Sequence, residues 1–395
     1  MNNINKIGHN PCSSCGVCVI SCPHKAVLLK QDENGFYRPI VNNDICTDCG
    51  ICTKVCYKYL KEKNPFENAF KDKSIYAAWS KDITTVKTSS SGGVGYELTS
   101  YFYHAGYKIC GVIFDAPNNI CKHIIAESDE NLEAIKTSKY LQSYTVEAFS
   151  QFKKGEKYLV VGTPCQIYGL RKWSKLKKLE DDFILVDFFC HGTPTHNLWK
   201  KYKEFLCEKY NLNSSFKYVN FRSNQKSTWH KNAMLISDCY EKEYYKDKAF
   251  VSDLFFQFFM SHSCLNDACY SCQLRLDNCA ADIRIADFWG SKYANNENGV
   301  SLVITNTKRG ELIWREIEHL LTVENCNFKD LETSQNGRFI EKNQQQRNVI
   351  LKELREDKSL IQIYNQHIKN KLSVSVLLLL RKIEIKILSH INSNR

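Results

Sequence analysis

The chain has 395 residues, 43% of them hydrophobic, which is enough for a small module plus one larger domain with an ordinary core. No stretch approaches the roughly 18 apolar residues of a membrane-spanning helix, and the start, MNNINKIGHN, has no apolar leader-like region; the nineteen cysteines are therefore expected in a reducing cytoplasm, with thiolates free for metal. The formal charge of +11 counts cysteines as neutral, so metal-bound thiolates would lower it, and with Lys and Arg scattered along the chain nucleic acid is excluded as a partner.

The first elements in chain order are two cysteine runs, CSSCGVCVISCP at 12–23 and CTDCGICTKVCY at 46–57. Both have the spacing C-x2-C-x2-C-x3-C, the ligand pattern of bacterial ferredoxins, in which the fourth cysteine of each run ligates the other cluster. Cys12, Cys15, Cys18 and Cys56 are thus expected on one [4Fe-4S] cluster, and Cys46, Cys49, Cys52 and Cys22 on the other. Zinc sites usually pair two C-x2-C units across a longer loop, and disulfide frameworks belong to small secreted domains, so neither fits this duplication. One departure is local: Tyr57 stands where the first run has Pro23.

A two-cluster ferredoxin-type domain is expected over 1–62, followed by a charged linker over 63–74. From about Ile75, the strand-like runs YKICGVIFD, EKYLVVGTP and FILVDFFCHGTP alternate with helical patterns, which predicts an α/β domain over 75–328 with a partly parallel sheet. Neither a G-x-G-x-x-G fingerprint nor a P-loop occurs. A helical tail is expected over 329–395. Its apolar run from Leu372 to Leu380 is too short to cross a bilayer, leaving a packed helix or a peripheral membrane contact flanked by Arg381, Lys382 and Lys386. The expected class is α+β: a ferredoxin-like module, an α/β domain, and a helical tail.

A third cysteine set lies in the larger domain. Cys165 and Cys190 each follow a predicted strand, at the edge where open α/β sheets gather their sites. Cys264, Cys269, Cys272 and Cys279 form a local group that would suit a zinc loop; alternatively Cys269 and Cys272 complete a four-thiolate set with Cys165 and Cys190. Catalysis by Cys190 beside His191 is disfavoured, because neighbours on an extended chain point to opposite sides.

From about Tyr76 to Lys308 the chain resembles the family of coenzyme F420 hydrogenase/dehydrogenase beta subunits. The segments that carry the resemblance are KTSSSGGV at 87–94, TSKYLQS at 137–143, GTPCQIYGL at 162–170, CHGTP at 190–194, FRSNQKSTW at 221–229, CYSC at 269–272 and ADIRIADFWG at 281–290. The resemblance implies flavin (FAD or another), a third [4Fe-4S] cluster on Cys165, Cys190, Cys269 and Cys272, and no assigned role for Cys264 and Cys279.

For the flavin, Ser89, Ser90, Ser91, Gly92 and Gly93 form a small-residue loop before a helical pattern, suited to phosphate oxygens but also to ordinary capping. Lys139, Tyr140, Gln142 and Ser143 form a second candidate segment. Thr163, Pro164 and Gln166 flank Cys165, and Asp287 is a candidate for a ribityl hydroxyl or a turn. Arg222, Lys226 and His230, around Trp229, are candidates for an anionic substrate. No catalytic residue is assigned.

The expected function is an iron-sulfur flavoprotein oxidoreductase that exchanges hydride with coenzyme F420 or a similar conjugated substrate. The alternatives are a ferredoxin-dependent reductase of another conjugated compound and a non-catalytic electron-transfer subunit. Either way a redox partner, a ferredoxin or a catalytic subunit, is needed.

Overall fold

The computed structural model describes residues 2–7, 12–59, 70–211, 216–224, 228–231, 233–238, 243–248, 252–275, 278–335, 340 and 342–369. Most of the expected linker, Lys226, and the apolar run from Leu372 to Leu380 with its flanking cations lie outside them.

The N-terminal module contains α1 (Val17–Ser21), β1 (Val27–Gln31), β2 (Tyr37–Val41) and α2 (Ile51–Lys54), with β1 and β2 paired antiparallel. The duplication in sequence is also a duplication in backbone. Gly16 and Gly50, each between the second and third cysteine of its run, cap α1 and α2 with φ near +76° and +73°, a left-handed conformation that glycine adopts without a Cβ penalty. Each short helix thereby carries its third cysteine, Cys18 or Cys52, inward.

The larger domain opens with β3 (Ser74–Ser80), α3 (Ile83–Thr88) and α4 (Val94–His104). It continues through β4 (Lys108–Asp115), β5 (Ile120–Ile125), α5 (Asp129–Ile135), α6 (Val146–Phe149), β6 (Tyr158–Val161), α7 (Pro164–Lys177), β7 (Phe183–Phe188) and α8 (His196–Tyr210). After β8 (Phe216–Ser223), β9 (Ala233–Asp238) and β10 (Glu243–Lys248) come α9 (Leu254–Met260), α10 (Asp267–Tyr270), β11 (Ile283–Asp287) and β12 (Ser301–Thr305). The described chain closes with α11 (Lys308–Ile317), β13 (Leu321–Cys326), α12 (Phe328–Gln335), α13 (Gln344–Glu353) and α14 (Leu360–His367).

Eight strands form one sheet in the order β13-β3-β12-β11-β7-β6-β4-β5. The four central strands β11, β7, β6 and β4 are parallel, and the flanking pairs are antiparallel. The three runs read as strands in the sequence are β4, β6 and β7. In β7 the apolar side chains of Ile184, Leu185 and Val186 are buried on both faces, as a central parallel strand requires. Because β3 opposes β12 and β12 opposes β11, β3 runs parallel to the central four. The segments after β3, β6, β7 and β11 therefore meet at one sheet edge, where open α/β sheets place ligands.

Helices cover both faces. Val94, Leu98 and Phe102 of α4 pack with Leu132 of α5 and Trp314 of α11 on one side. On the other, Ile167, Leu170 and Trp173 of α7 share a core with Phe149 of α6 and with Val17 and Val55 of the N-terminal module. The module is thus docked on the sheet through a common apolar core.

The antiparallel sheet β10-β9-β8 was not foreseen from the sequence. It packs with α8, α9, α13 and α14 around Trp199, Tyr202, Phe221 and Phe255, so the described part of the tail, through Ile350, Leu351 and Ile363, belongs to this core. Among the described residues no helix is long and apolar enough to cross a membrane.

Candidate functional site

In the module, several of the thiols lie close enough to act on one another. Burial, then neighbouring Cys56 and Cys12, pushes Cys15 up to about 12. Burial, then Cys15, Cys12 and Cys56, drives Cys18 well above its ordinary value. Cys52 is raised by burial and faces Cys22 and Cys49. Cys46 lies 3.6 Å from the Asn3 amide and 3.8 Å from Asp48. Thiols crowded this closely out of water cannot all ionise without a countercharge, which bound iron supplies.

The distributed set also comes together. Cys165 starts α7, Cys190 follows β7, and Cys269 and Cys272 belong to α10 and its exit; all four line one hollow with Tyr57, Gln142, Thr193 and Arg275. Burial raises Cys165 and Cys190, and each is raised further by the neighbouring thiols of the set. Gly192, at φ +137°, lets the loop after β7 approach Cys269, where a Cβ would stand 3.3 Å from the Cys269 Cβ. Cys264 and Cys279 are elsewhere: Cys264 points to the Phe258 carbonyl in one core, and Cys279 lies 3.7 Å from Asp187 in another. The local four-cysteine loop is therefore not assembled. His191 packs on Phe259 and His262, away from the hollow that Cys190 lines.

The hollow abuts the module. After burial, Cys15 of the module is the thiol that raises Cys165 most. Thr145 Oγ1 donates to the Cys15 carbonyl at 3.1 Å, Gln142 Nε2 to the Ser14 carbonyl at 3.2 Å, and Asn266 Nδ2 to Ser14 Oγ at 3.0 Å. Gly16 and Gly169 make this approach tight: a Cβ on the first would meet Thr145 Oγ1 at 2.2 Å, and on the second Val17 at 2.8 Å.

The candidate flavin residues divide by availability. Gly93, at φ +83°, caps the eleven-residue α4 without a side-chain cap, leaving first-turn N–H donors open. Among the described residues Ser89 Oγ is buried with no hydrogen-bond partner, and so is Asn224 Oδ1, whose Nδ2 donates to the Ser89 carbonyl at 2.8 Å. Ser90 Oγ accepts the Ser138 N–H at 3.0 Å, tying this loop to the 137–143 segment, and Ser91 Oγ donates to the Val300 carbonyl. Lys139 reaches the Ala134 carbonyl, and loss of water around its ammonium lowers it to about 7. Tyr140 stands in an aromatic cluster with Phe221, Phe256 and Phe259.

Other candidates are already engaged within the protein. Gln166 accepts the Thr163 N–H and donates to Ser143 Oγ, which is 3.0 Å from His123 Nδ1. Thr163 Oγ1 lies 3.2 Å from Cys165 Sγ, and Pro164 lines the cysteine hollow. Asp287 forms a bidentate pair with Arg222 at 2.8 and 3.0 Å and accepts from Trp229 Nε1 at 2.9 Å. Arg222 is 2% exposed, so it is not the solvent-facing cation expected for substrate capture, and Trp229 is buried in a stack on Trp289. His230 is exposed. A separate hollow of about 240 Å³ is lined by Trp79, Lys81, Val86, Asn298 and Gly299 among others and contains none of the candidate residues.

Sequence reading missed Arg275 and Asn224. Arg275 donates to the carbonyls of His191 and Cys269, placing a cation beside the hollow; the spacing C-x2-C-x2-R was the available signal. Asn224 lay within the matched FRSNQKSTW segment, but nothing in that string pointed it at Ser89.

A partly parallel α/β sheet with a cysteine-lined hollow against a ferredoxin-like module defines an iron-sulfur protein of the electron-transferring kind. Comparison with known proteins makes this specific. Residues 11–58 match the 4Fe-4S dicluster domain, and residues 155–333 match the family described as the C terminus of the coenzyme F420 hydrogenase/dehydrogenase beta subunit. A segment of the chain thus matches that family's model, behind a match to a two-cluster iron-sulfur domain. The family match contains Cys165, Cys190, Cys269, Cys272 and Asp287 but stops short of the Ser89–Gly93 loop.

The F subunit of the F(420)H(2) dehydrogenase of Methanosarcina mazei is 27% identical over 180 residues, 42% of this chain and 49% of that protein. Coenzyme F420-dependent sulfite reductase of Methanocaldococcus jannaschii is 31% identical over 170 residues, 41% of this chain and 25% of that protein. The chain therefore spans about half or less of these relatives. A chain of the F420-reducing [NiFe] hydrogenase complex from Methanosarcina barkeri superposes with a TM-score of 0.47 at 16% identity, covering 72% of this chain and 94% of that one, too loose a likeness to bear on the site.

Proposed function

We propose that this protein is an iron-sulfur flavoprotein oxidoreductase that moves electrons between its two N-terminal clusters and a flavin, by way of a third cluster held by Cys165, Cys190, Cys269 and Cys272. The observation that carries the reading is that these four thiols, from three separate segments, line one hollow directly against the module that holds Cys15 and Cys56.

In the third site, Cys165, Cys190, Cys269 and Cys272 would hold the iron, and Arg275 offsets part of the cluster's negative charge. In the flavin site, Ser89 Oγ, Asn224 and the open N–H groups of α4 would receive phosphate or ribityl oxygens, with Lys139 as the nearby cation. A bound flavin supplies the exchange between one-electron and hydride chemistry. Asp287 then supports this edge indirectly, by fixing Arg222 and Trp229.

Relatives that act on coenzyme F420 support F420, or a conjugated compound like it, as the substrate. One of them is named as a subunit, which supports a second reading in which this chain relays electrons for a separate catalytic chain. Anaerobic reconstitution should give about twelve irons and one flavin per chain, and the product should reduce F420 with a low-potential donor. About eight irons would remove the third cluster. Full cofactor content without F420 turnover, restored by a co-purifying chain, would establish the relay reading.

A further inference from the structure

Tyr57 belongs to the N-terminal module, immediately after Cys56, yet its side chain lines the hollow of Cys165, Cys190, Cys269 and Cys272. It is 4% exposed, and its phenol oxygen is buried with no hydrogen-bond partner among the described residues. Cys272, Cys165 and Cys269 line the same hollow as its ring. Its ring is fixed edge-on to Tyr168 at 5.8 Å, and Lys58 stands 5.0 Å above it while donating to the Ser271 carbonyl. The position is therefore set by packing from both domains. An unmet O–H in such a place costs free energy that an acceptor would recover, and the acceptors a cluster offers are sulfurs.

We infer that Tyr57 donates a hydrogen bond from the N-terminal module to a sulfur of the cluster in the larger domain, and so sets that cluster's reduction potential. This rests on the third-cluster reading above. Hydrogen bonds to cluster sulfurs stabilise the more negative, reduced state and raise the potential. The residue that fills the proline position of the first run is then a positioning residue for a neighbouring redox centre. It lets the docked module make that cluster easier to reduce, favouring electron flow out of the module.

The test is a redox titration of reconstituted protein, following each cluster by electron paramagnetic resonance and counting iron. Tyr57→Phe should keep its iron and make the third cluster about tenfold harder to reduce, about 59 mV more negative for one electron, with the two module clusters unmoved. Replacing Tyr57 with 3-fluorotyrosine, a stronger donor of nearly the same shape, should shift it the other way. Full iron with no shift in either variant, or shifts of the same sign in both, would overturn the role of Tyr57 while leaving the third cluster standing. Wild-type protein with about eight irons would overturn the third cluster and this inference together. If Tyr57→Phe loses a cluster, the fluorotyrosine protein decides alone: a raised potential supports the bond, and an unchanged one ends it.

Discussion

Individual side chains divide into those whose role is local and those whose role is made by distant contacts. The eight cysteines of the module were legible because ligand spacing is chemistry written along the chain. Arg222 was not: its sequence neighbours suggest a solvated cation, but it is buried against Asp287. Asp287→Asn should remove the carboxylate from its bidentate pair with that guanidinium and cost about 3–5 kcal/mol, read from urea unfolding; unchanged stability with weakened flavin binding would instead return Asp287 to direct flavin contact. Lys139 makes a pH prediction. Burial holds it near 7, so it is cationic below that pH and neutral above. Flavin affinity measured by fluorescence should weaken as pH rises from 6 to 8.5, and Lys139→Gln should flatten the profile.

Among the elements, the central strands could be read from their apolar runs, whereas the sheet of β8, β9 and β10 could not, since β8 and β10 mix polar and charged residues into their runs and the short apolar stretch of β9, AMLI, lies between polar segments. The docking of α1 on α7 was equally unreadable, because a glycine inside a helix signals nothing until the partner is known. Here Gly169 faces Val17 at a distance that excludes a Cβ. Alanine would regain about 1 kcal/mol of helix propensity and partly mask the clash. Gly169→Leu should therefore show it better, lowering stability by about 1–3 kcal/mol and slowing reduction of the flavin by the module at unchanged iron content. Equal transfer rates in the two proteins would mean that this contact does not set the distance.

At the scale of the whole molecule, family resemblance, more than periodicity, gathered Cys165, Cys190, Cys269 and Cys272 from over a hundred residues of chain; topology explains why they meet, since Cys165 and Cys190 follow the parallel neighbours β6 and β7 at one sheet edge, and backbone bonds from Asn266 to Thr193 and from Thr195 to Cys264 bring the α10 segment to the loop after β7. The fold also buries histidines. His123 and His196 are pulled by burial from 6.5 to about 4. The unfolded chain therefore takes up protons between pH 6.5 and 4 that the native protein refuses. Stability should fall over that window, by up to about 3 kcal/mol for each histidine. Urea midpoints at pH 7 and 5 measure the fall, and His123→Gln should reduce it; parallel profiles would rule His123 out.

Val17 and Val55 sit in the same core as the central sheet. A module anchored this way is a soldered contact rather than a shuttle: it cannot swing away to collect an electron and carry it back. Thickening the solvent should leave passage between module and sheet unchanged while slowing delivery from outside, because only the outside donor has to diffuse.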